Sequence, residues 1–349
     1  MDADVDRILI TGAQGFLGRH LSAWLAHMHP SAQILGVGRS VLLQDSFTHV
    51  VHWAGRPVRA PLPLTLRQRG ARIRYVRADV RNRHALSRVV RDFRPQLVFH
   101  LASALRDDPP DALFASILGT VHLIEAVAQP QSRPRMTVIV SSGGVYGQSG
   151  ETGVALREDA PCLPADLYTT SKLAAEYSAR VLAVHHRVPL VVARVFNVIG
   201  PGQDERHVCG RLASQVAAIM RGGAAPEITL DDVSTTRDFI DVRDVVRALT
   251  TIARAGRPGL VANVGSGAET SIDTLLRDFL RLGDLEGRVT LPARRPAHAA
   301  VQRQRADVSR LRSMDFRCEF SLRRSCQDLL TYYLTDVADR ARAAEKLGA

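Results

Sequence analysis

Cysteine is scarce in this chain, and no long apolar run is present. The four cysteines among 349 residues show no C-x-x-C spacing, which predicts reduced thiols, no disulfide framework and no metal site. No stretch of about 18 apolar residues occurs, so we predict no transmembrane helix. The first residues, Met1 to Asp6, are acidic where a signal peptide would be basic. These absences predict a cytoplasmic protein without a membrane partner.

Lysine is nearly absent as well. The 46 basic residues comprise 44 arginines and only two lysines, Lys172 and Lys346, and with 35 acidic residues the formal charge is +11. Residues 56–94, called the arginine block below, hold twelve arginines and two acids, a net charge of +10. Such a block can attract nucleic acid, an anionic membrane or a phosphorylated molecule. We predict a solvated surface and no nucleic-acid partner, because arginine fills nearly every basic position of the chain.

The composition is that of an ordinary globular protein, with 46% hydrophobic and 23% charged residues, and the length suits about two domains. Short runs rich in Val and Ile alternate with amphipathic stretches through the first two-thirds. The predicted strands are Arg7–Thr11, Gln33–Gly38, Ile73–Arg77, Leu97–Leu101, Met136–Ser141, Leu190–Val195 and Leu260–Val264. Continuous apolar strands separated by helices predict a parallel sheet covered on both faces, which is the doubly wound α/β (Rossmann) fold.

Two regions depart from this alternation. Ser40–Gly70 contains three prolines and is predicted to be a long surface connection near the second strand. The second region follows Val198. It is rich in Gly and Pro at first, and beyond Ser266 it mixes short helices and strands. We therefore predict a first domain and a smaller, discontinuous α/β second domain, formed respectively by residues 1–195 with 239–265 and by residues 196–238 with 266–349.

A glycine-rich loop stands between the first predicted strand and the first predicted helix. Gly12, Gly15 and Gly18 follow one another at spacings of three. The first glycine permits a tight turn, the second lets the backbone approach a pyrophosphate, and the third lets helix and strand pack closely. The free N–H groups at the start of the helix then face the negative charge. This context predicts that the first domain binds a dinucleotide.

The residues after the second predicted strand bear on the choice of cofactor. An acid there would bind the 2′-hydroxyl of the adenosine ribose, whereas an arginine suits a 2′-phosphate. The sequence reads Gly36-Val37-Gly38-Arg39-Ser40 and contains no acid at this point. Arg39 therefore favours NADP slightly over NAD, although an arginine can also stack on adenine without contacting a phosphate.

Tyr168 and Lys172 lie four residues apart at the start of a predicted helix and therefore share one face. A lysine ammonium, together with a positive nicotinamide, would lower the tyrosine pKa from about 10 and make it an acid and base for a substrate hydroxyl. Lysine at this position is informative, because nearly every other basic residue is arginine. Ser142 ends a strand and can hydrogen-bond to the same substrate oxygen. A tyrosine and a lysine four residues apart also occur on ordinary helices, and a Ser-Ser-Gly segment can be a simple turn.

These residues together resemble the extended short-chain dehydrogenase/reductases, the NAD(P)-dependent nucleotide-sugar epimerase/dehydratase family. The resemblance is carried by the glycine loop, Asp79-Val80, His100–Ser103, Ser142 before Val145-Tyr146-Gly147, Tyr168 with Lys172, Arg194–Gln203, Arg237–Asp244, Asn263–Gly267 and Arg295-Pro296. The motifs in the second half of the chain, from Arg194 onward, are most similar to those of GDP-4-keto-6-deoxymannose reductases. The Ser-Ser-x-x-Val-Tyr-Gly segment is equally similar to UDP-galactose 4-epimerases.

The resemblance implies roles for individual residues. The catalytic residues would be Ser142, Tyr168 and Lys172. The cofactor would be bound by Gly12, Gln14, Gly15, Phe16, Leu17, Gly18, Arg39, Asp79, Val80, Leu101, Ala102 and Ser103, together with Tyr168 and Lys172. The nucleotide-diphosphate sugar would be bound by Ser142, Asn197, Arg237 and Arg295, where arginine suits phosphate oxygens. The resemblance also implies a homodimer paired through helices at Asp111–Ala128 and Leu167–His185.

Two departures from the family pattern bear on the activity. Gly143 and Gly144 stand where dehydratases carry an acid, which disfavours 4,6-dehydration, and His298 replaces an acid near the substrate ribose. We predict an NAD(P)-dependent epimerase acting at sugar C4 through a transient 4-keto intermediate, with a GDP-sugar favoured. The alternative is an NADPH-dependent 4-ketoreductase, which Arg39 and the second-half motifs favour. A dehydratase is less favoured, as is a non-catalytic dinucleotide-binding protein whose arginine block contacts nucleic acid.

Overall fold

The computed structural model describes residues 5–69, 73–230, 233–291 and 301–346. The strands are β1 (Arg7–Thr11), β2 (Gln33–Gly38), β3 (Ser46–Trp53), β4 (Arg56–Pro61), β5 (Arg74–Arg77), β6 (Leu97–His100), β7 (Met136–Ser142), β8 (Leu190–Val195), β9 (Asn197–Ile199), β10 (Thr236–Arg237), β11 (Phe239–Asp241), β12 (Val261–Val264) and β13 (Thr270–Ser271). The helices are α1 (Phe16–Met28), α2 (Leu64–Arg69), α3 (Arg83–Phe93), α4 (Pro110–Val127), α5 (Leu167–His186), α6 (Val208–Met220), α7 (Val242–Ala255), α8 (Ile272–Leu282), α9 (Ser309–Arg312), α10 (Leu322–Tyr332) and α11 (Ala338–Lys346).

A seven-stranded parallel sheet organises the first part of the chain, in the order β12-β8-β7-β6-β1-β2-β5. Its strands are apolar throughout because both faces are covered. Along β1, Ile8 and Ile10 pack with α1 and α7, whereas Leu9 packs with α3, α4 and α5 on the opposite face. The predicted doubly wound fold is confirmed, and each of its seven predicted strands agrees with the structure to within one residue at either end.

The strand order reverses between β1 and β6, which opens a crevice at the carboxyl ends of these two strands. The chain runs outward from β1 to β2 and β5 on one side, and then continues through β6, β7, β8 and β12 on the other. A Cβ atom on Gly12, just after β1, would lie only 2.8 Å from the Ala102 amide nitrogen after β6. Ligands of doubly wound sheets bind at such a reversal, so the fold directs attention to these two loops.

The region predicted as a surface connection, Ser40–Gly70, is instead largely structured. β3 and β4 form an antiparallel hairpin whose turn, Ala54-Gly55, has positive φ at both residues, as tight hairpin turns require. Its inward side chains include Phe47, Val51 and Ala60, which are fully buried. They share one core with residues of α6, α8 and α10. The hairpin thus packs with elements assigned by sequence to the second domain, and the division into two domains stays a prediction.

The arginine block is divided between two parts of the fold, and several of its side chains are already paired. On the hairpin and α2, Arg56 pairs with Glu345 and Arg67 pairs with Asp336. Near β5 and α3, acids likewise pair with arginines, namely Asp79 with Arg81, Glu125 with Arg83 and Asp92 with Arg91. Glu345, Asp336 and Glu125, which lie outside the block, therefore offset part of its formal charge of +10.

Helix α4 is long and apolar enough to span a membrane by length and composition alone, which differs from the sequence expectation of no such helix. In the fold, Leu123 and Ile124 on its inner side are fully buried in the core beneath the sheet. Core helices of globular domains have the same length and composition, so we assign α4 to the core. The absence of a membrane partner stays a prediction.

Candidate active site

The glycine loop lies at the edge of the crevice. Gly12 has a φ of +71°, and its N–H donates to the Val37 carbonyl oxygen at 2.8 Å, which holds the turn against β2. A Cβ atom on Gly18 would lie 2.2 Å from the Gly12 carbonyl oxygen, so only glycine lets α1 begin this close to the strand. The N-cap residue Gly15 supplies no side-chain acceptor to the first N–H groups of α1. These groups are therefore suited to an anion, and the loop fits the pyrophosphate of a dinucleotide.

The side chain of Gln14 is turned toward the segment that leaves β2. Its amide nitrogen donates to the Val41 carbonyl oxygen at 2.9 Å, and its amide oxygen accepts from the Leu43 N–H at 2.7 Å. Arg19 of α1 donates to the carbonyl oxygens of Leu43 and Ser46. The phosphate loop and α1 therefore hold the start of the β3–β4 hairpin. The predicted contact of Gln14 with the cofactor stays a prediction.

The remaining predicted cofactor contacts near the loop flank the crevice on two sides, with Phe16 and Leu17 at the start of α1 and Leu101, Ala102 and Ser103 after β6. Thr11 ties the two sides together, because its hydroxyl accepts from the Ala102 N–H at 3.2 Å and bonds the His100 ring at 2.7 Å. Burial lowers the pKa of His100 to about 3. The imidazole is therefore neutral and serves as a hydrogen-bonding group between the strand ends.

Arg39 follows β2 with an exposed side chain. Within the described part of the chain, its guanidinium forms no hydrogen bond or ion pair. Asp79 is paired with Arg81 at 2.6 Å, and this pairing, with a smaller contribution from the charge of Arg39, holds the pKa of Asp79 below its usual value. Val80 packs against Gly119 of α4. The edge of the crevice where an adenosine ribose would lie thus carries an unpaired cation.

Ser142, Tyr168 and Lys172 are brought together at the carboxyl end of β7. The Ser142 hydroxyl accepts from the Gly144 N–H at 3.0 Å and lies near the Tyr168 phenol, whose pKa it lowers. Lys172 Nζ donates to the Val140 carbonyl oxygen at 3.3 Å and lies 5.9 Å from the centre of the Tyr168 ring. The three residues that the sequence predicts as catalytic therefore form one cluster.

The ionisation of this cluster differs in part from the expectation based on sequence. Burial raises the pKa of Tyr168, and the charge of Arg106 and the hydrogen bond to Ser142 oppose that rise. Burial lowers the pKa of Lys172 to about 8, so the amine remains largely protonated near neutral pH. The cation with the clearest influence on the phenol is thus Arg106, whereas the sequence pattern assigns this influence to Lys172.

Asp166 fixes the turn of helix that carries Tyr168. As the N-cap of α5, its carboxylate accepts from the Thr169 N–H at 2.7 Å, and Thr169 Oγ1 bonds back to the Asp166 N–H in a capping box. The same carboxylate forms an ion pair with Arg106, which lies in the loop between β6 and α4. The helix start and this loop are therefore held together beside the phenol.

A cleft of about 320 Å³ adjoins the cluster. Its walls are formed by Arg106, Ser142, Gly144, Ala165, Asp166, Thr169, Val195, Phe196, Asn197, Arg237, Val301 and Gln304. Two of the predicted substrate residues, Asn197 and Arg237, thus lie in the same cleft as Ser142. The guanidinium of Arg237 is oriented by hydrogen bonds to the Val301 and Gln302 carbonyl oxygens at 3.0 and 3.2 Å. Arg295 and His298 lie outside the described residues.

Close packing explains the glycine pair that follows Ser142. A Cβ atom on Gly143 would lie 2.7 Å from the Phe196 ring, and one on Gly144 would lie 2.7 Å from Thr169 Cγ2. An acidic side chain at either position would displace these neighbours. The geometry therefore agrees with the sequence inference that disfavours a dehydratase site.

Three residues of the cleft were missed by the sequence analysis. Arg106 belongs to no motif and is one of 44 arginines. Gln304 donates to the Gly143 carbonyl oxygen at 2.8 Å, from a segment distant in the chain. Phe196 lies within the quoted motif Arg194–Gln203, but only the fold brings its ring against the glycine pair. No local pattern distinguishes the first two from ordinary surface residues.

A buried polar network supports the cleft from behind. Arg194 of β8 and Glu176 of α5 form an ion pair at 2.7 Å, with side chains that are 3% and 0% exposed. Arg194 also donates to the Tyr146 hydroxyl at 3.0 Å, and this hydroxyl donates to Asn263 Oδ1 at 2.7 Å. The network joins β8, α5 and β12 directly behind the Phe196 side of the cleft, and so fixes the glycine pair and Phe196 relative to α5.

Several known proteins resemble this chain over most of its length. The sequence profile described as the NAD dependent epimerase/dehydratase family matches residues 8–265. The GDP-6-deoxy-D-mannose reductase of Pseudomonas aeruginosa is 29% identical over 332 residues, which cover 93% of this chain and 96% of that protein. The UDP-glucose 4-epimerase of Mycolicibacterium smegmatis is 31% identical over 274 residues, which cover 76% and 79%.

A solved structure of RMD from Pseudomonas aeruginosa in complex with NADPH has a TM-score of 0.76 and 26% identity, and the match covers 96% of this chain and 100% of that one. The matched profile spans more than half of the chain, including the glycine loop and the Tyr168 cluster. The chain is therefore an NAD(P)-dependent enzyme that belongs to the NAD dependent epimerase/dehydratase family, the extended short-chain dehydrogenase/reductases.

Proposed function

We propose that this enzyme uses NADPH to reduce a 4-keto group on the sugar of a nucleotide diphosphate sugar, with a GDP-sugar as substrate. The observation that carries the proposal is the juxtaposition of Ser142, Tyr168 and Lys172 at the end of β7, where Ser142 lines the cleft beside the dinucleotide crevice. A bound nicotinamide would supply the hydride. The chain itself supplies the proton donor, the groups that orient the sugar and the cations that bind the diphosphate.

Each residue of the cluster has a distinct task in this proposal. Tyr168 donates its phenolic proton to the C4 oxygen as the ketone becomes an alcohol, and Ser142 holds the same oxygen by a hydrogen bond. Lys172, anchored on the Val140 carbonyl oxygen, contributes positive charge beside the phenol and lies where the cofactor ribose would bind. Asn197 and Arg237 bind the diphosphate, since a guanidinium can contact two phosphate oxygens at once.

Two observations support net reduction over epimerisation, the activity that the sequence narrowly favours. Arg39 is exposed and unpaired at the edge where a 2′-phosphate would bind, which supports NADPH as the cofactor. One relative, 29% identical over 93% of the chain, is a GDP-6-deoxy-D-mannose reductase. The test is incubation of the protein with NADPH and a GDP-4-keto-6-deoxy sugar. We expect stoichiometric loss of NADPH and one C4 alcohol, and GDP should raise the melting temperature more than UDP, CDP, ADP or dTDP.

The second candidate is a C4 epimerase with a tightly held cofactor. The glycine pair after Ser142 supports it, as does the 31% identity with a UDP-glucose 4-epimerase. An epimerase would convert one C4 epimer of a nucleotide sugar into the other with no net change in NAD(P)H. That result, combined with no NADPH loss on a 4-keto sugar, would replace reduction by epimerisation.

Replacement of Arg39 by alanine is expected to weaken NADPH binding by about ten- to a hundredfold, because a charge-assisted hydrogen bond to the 2′-phosphate is lost. NADH binding should change little, since NADH lacks that phosphate. Titration of both cofactors by fluorescence checks this expectation. Arg91→Ala is the matched control, because Arg91 is also exposed but is paired with Asp92 on α3. Equal losses for NADPH and NADH in Arg39→Ala would contradict the assignment.

We also propose a cytoplasmic homodimer without membrane or nucleic-acid partners, formed through α4 and α5. Exposed apolar side chains support this face, with Phe114 and Leu118 on α4 and Tyr177, Val181 and Val184 on α5. Their spacing of three and four residues puts each set on one side of its helix.

Replacement of Val181 by aspartate is expected to convert the dimer to a monomer, because the charge would be buried without a partner in the interface. Sedimentation velocity measures the mass. Val154→Asp is the matched control, because Val154 is 67% exposed and Val181 is 68% exposed, but Val154 lies away from both helices. An unchanged mass in Val181→Asp would rule out this face.

A further inference from the structure

A second cation stands beside Tyr168. Arg106 lies in the loop between β6 and α4, and its guanidinium carbon is 5.4 Å from the centre of the Tyr168 ring. Lys172 Nζ lies slightly farther away, at 5.9 Å. Arg106 is also ion-paired with Asp166, the N-cap of α5. Because that cap fixes the turn carrying Tyr168, the ion pair fixes the guanidinium relative to the phenol.

We propose that Arg106 is a positioning residue whose positive charge favours the phenolate form of Tyr168, a role that the sequence pattern assigns to Lys172 alone. The inference rests on the proposed role of Tyr168 as the proton donor, and it adds the group that makes the phenol acidic enough for that role. Lys172 is less suited to act alone, because it is buried and its pKa is lowered to about 8.

Two cations lie near the Tyr168 ring, Lys172 of α5 and Arg106 of the β6–α4 loop. Two further charged side chains, Asp166 at the cap of α5 and Arg237, line the adjoining cleft. Burial raises the pKa of Tyr168, and Arg106 is the cation whose charge opposes that rise. Asp166 balances part of this charge, and the Arg106 side chain is 60% exposed. The effect of Arg106 is therefore expected to be about one pKa unit, at the lower end of the range for a neighbouring charge.

The proposal is tested by titration of Tyr168 itself. The full-length protein with NADP⁺ and without a sugar nucleotide is labelled with ¹³C at the tyrosine ζ carbon, and Tyr168→Phe identifies its signal among the six tyrosines. Arg106→Gln is expected to raise the pKa of Tyr168 by about one unit. Arg106→Lys should restore most of the original value, since it keeps the charge. The difference between native protein and Arg106→Gln should shrink at high salt, because the pair is partly exposed.

The matched control is Arg157→Gln. Arg157 is paired with Asp159 and is 64% exposed, close to the 60% of Arg106, but it does not line the cleft. This variant should leave the pKa of Tyr168 unchanged. If Arg106 only shaped the loop, Arg106→Gln would leave that pKa unchanged as well. The proposal is overturned if Arg106→Gln leaves that pKa at its native value, or if Arg106→Lys behaves like Arg106→Gln. The titration requires no turnover. An absence of sugar reduction would therefore overturn the proposed function, but it would not decide whether Arg106 lowers the pKa of Tyr168.

Discussion

Replacement of Tyr168 by phenylalanine is expected to lower kcat by about a hundredfold to ten-thousandfold, the range supplied by a positioned proton donor. Phenylalanine keeps the ring that lies near Arg106 and Lys172 and removes only the hydroxyl group. The developing alkoxide at C4 would then receive its proton from water. Loss of NADPH absorbance on a 4-keto nucleotide sugar measures kcat, and the cofactor dissociation constant should change little.

Tyr177→Phe is the matched control for this experiment. Tyr177 lies on the same helix, α5, and is exposed away from the cleft. This variant should retain native turnover. If Tyr168→Phe retained more than a tenth of native kcat while Tyr177→Phe was fully active, the proton donor would have to be another group of the cleft.

Replacement of Arg194 by methionine is expected to lower the free energy of unfolding by about 3–5 kcal/mol, because it leaves the buried carboxylate of Glu176 with only the partly exposed Arg180, 3.8 Å away, as a cation. Glu176 is completely buried and receives two hydrogen bonds from the Arg194 guanidinium, at 3.1 and 2.7 Å. Tyr146 and the Glu158 carbonyl oxygen would also lose a donor. Equilibrium unfolding in urea measures the change.

Two further variants distinguish the buried pair from ordinary surface pairs. Arg324 pairs with Asp328 on the surface of α10, and Arg324→Met should change the free energy of unfolding by less than about 1 kcal/mol. The double variant Arg194→Met/Glu176→Leu should recover much of the loss, since no unpaired charge remains buried. The double variant could instead be as unstable as Arg194→Met. The lost free energy of unfolding would then come from packing and from the hydrogen bond between Arg194 and the Tyr146 hydroxyl, and the buried charge would contribute little.

Local sequence was sufficient for the sheet and for the catalytic cluster. The strands of a doubly wound sheet are buried on both faces, so their apolar runs mark them directly, as Ile8-Leu9-Ile10 does for β1. Gly18 is required by the close approach of the Gly12 and Ala13 backbone a few residues earlier, and Gly12 is favoured by the positive φ of its own turn. Tyr168 and Lys172 share a helix, so their spacing alone brings them to one face.

Contacts between distant segments could not be predicted in this way. Arg106 matters because Asp166, 60 residues later, holds its guanidinium beside Tyr168. Gln304 reaches Gly143 across 161 residues. The hairpin at Ser46–Pro61 was predicted as a surface connection because its prolines suggest a loop, whereas its alternating apolar side chains gain most of their partners from the distant helices α6, α8 and α10.

The hairpin also has a consequence for the order in which the nascent chain can mature. Pro61 accepts a hydrogen bond from the Tyr332 hydroxyl, 271 residues later, and Phe47 is buried in a core that includes Tyr333. At ribosomal speeds of about 5–20 residues per second, those partners are synthesised about 15–55 s after the hairpin. The first strands of the sheet can pair in that interval, and Phe16 and His20 of α1 can already contact Phe47, while the cover of the hairpin is completed only when the last of its partner helices leaves the ribosome.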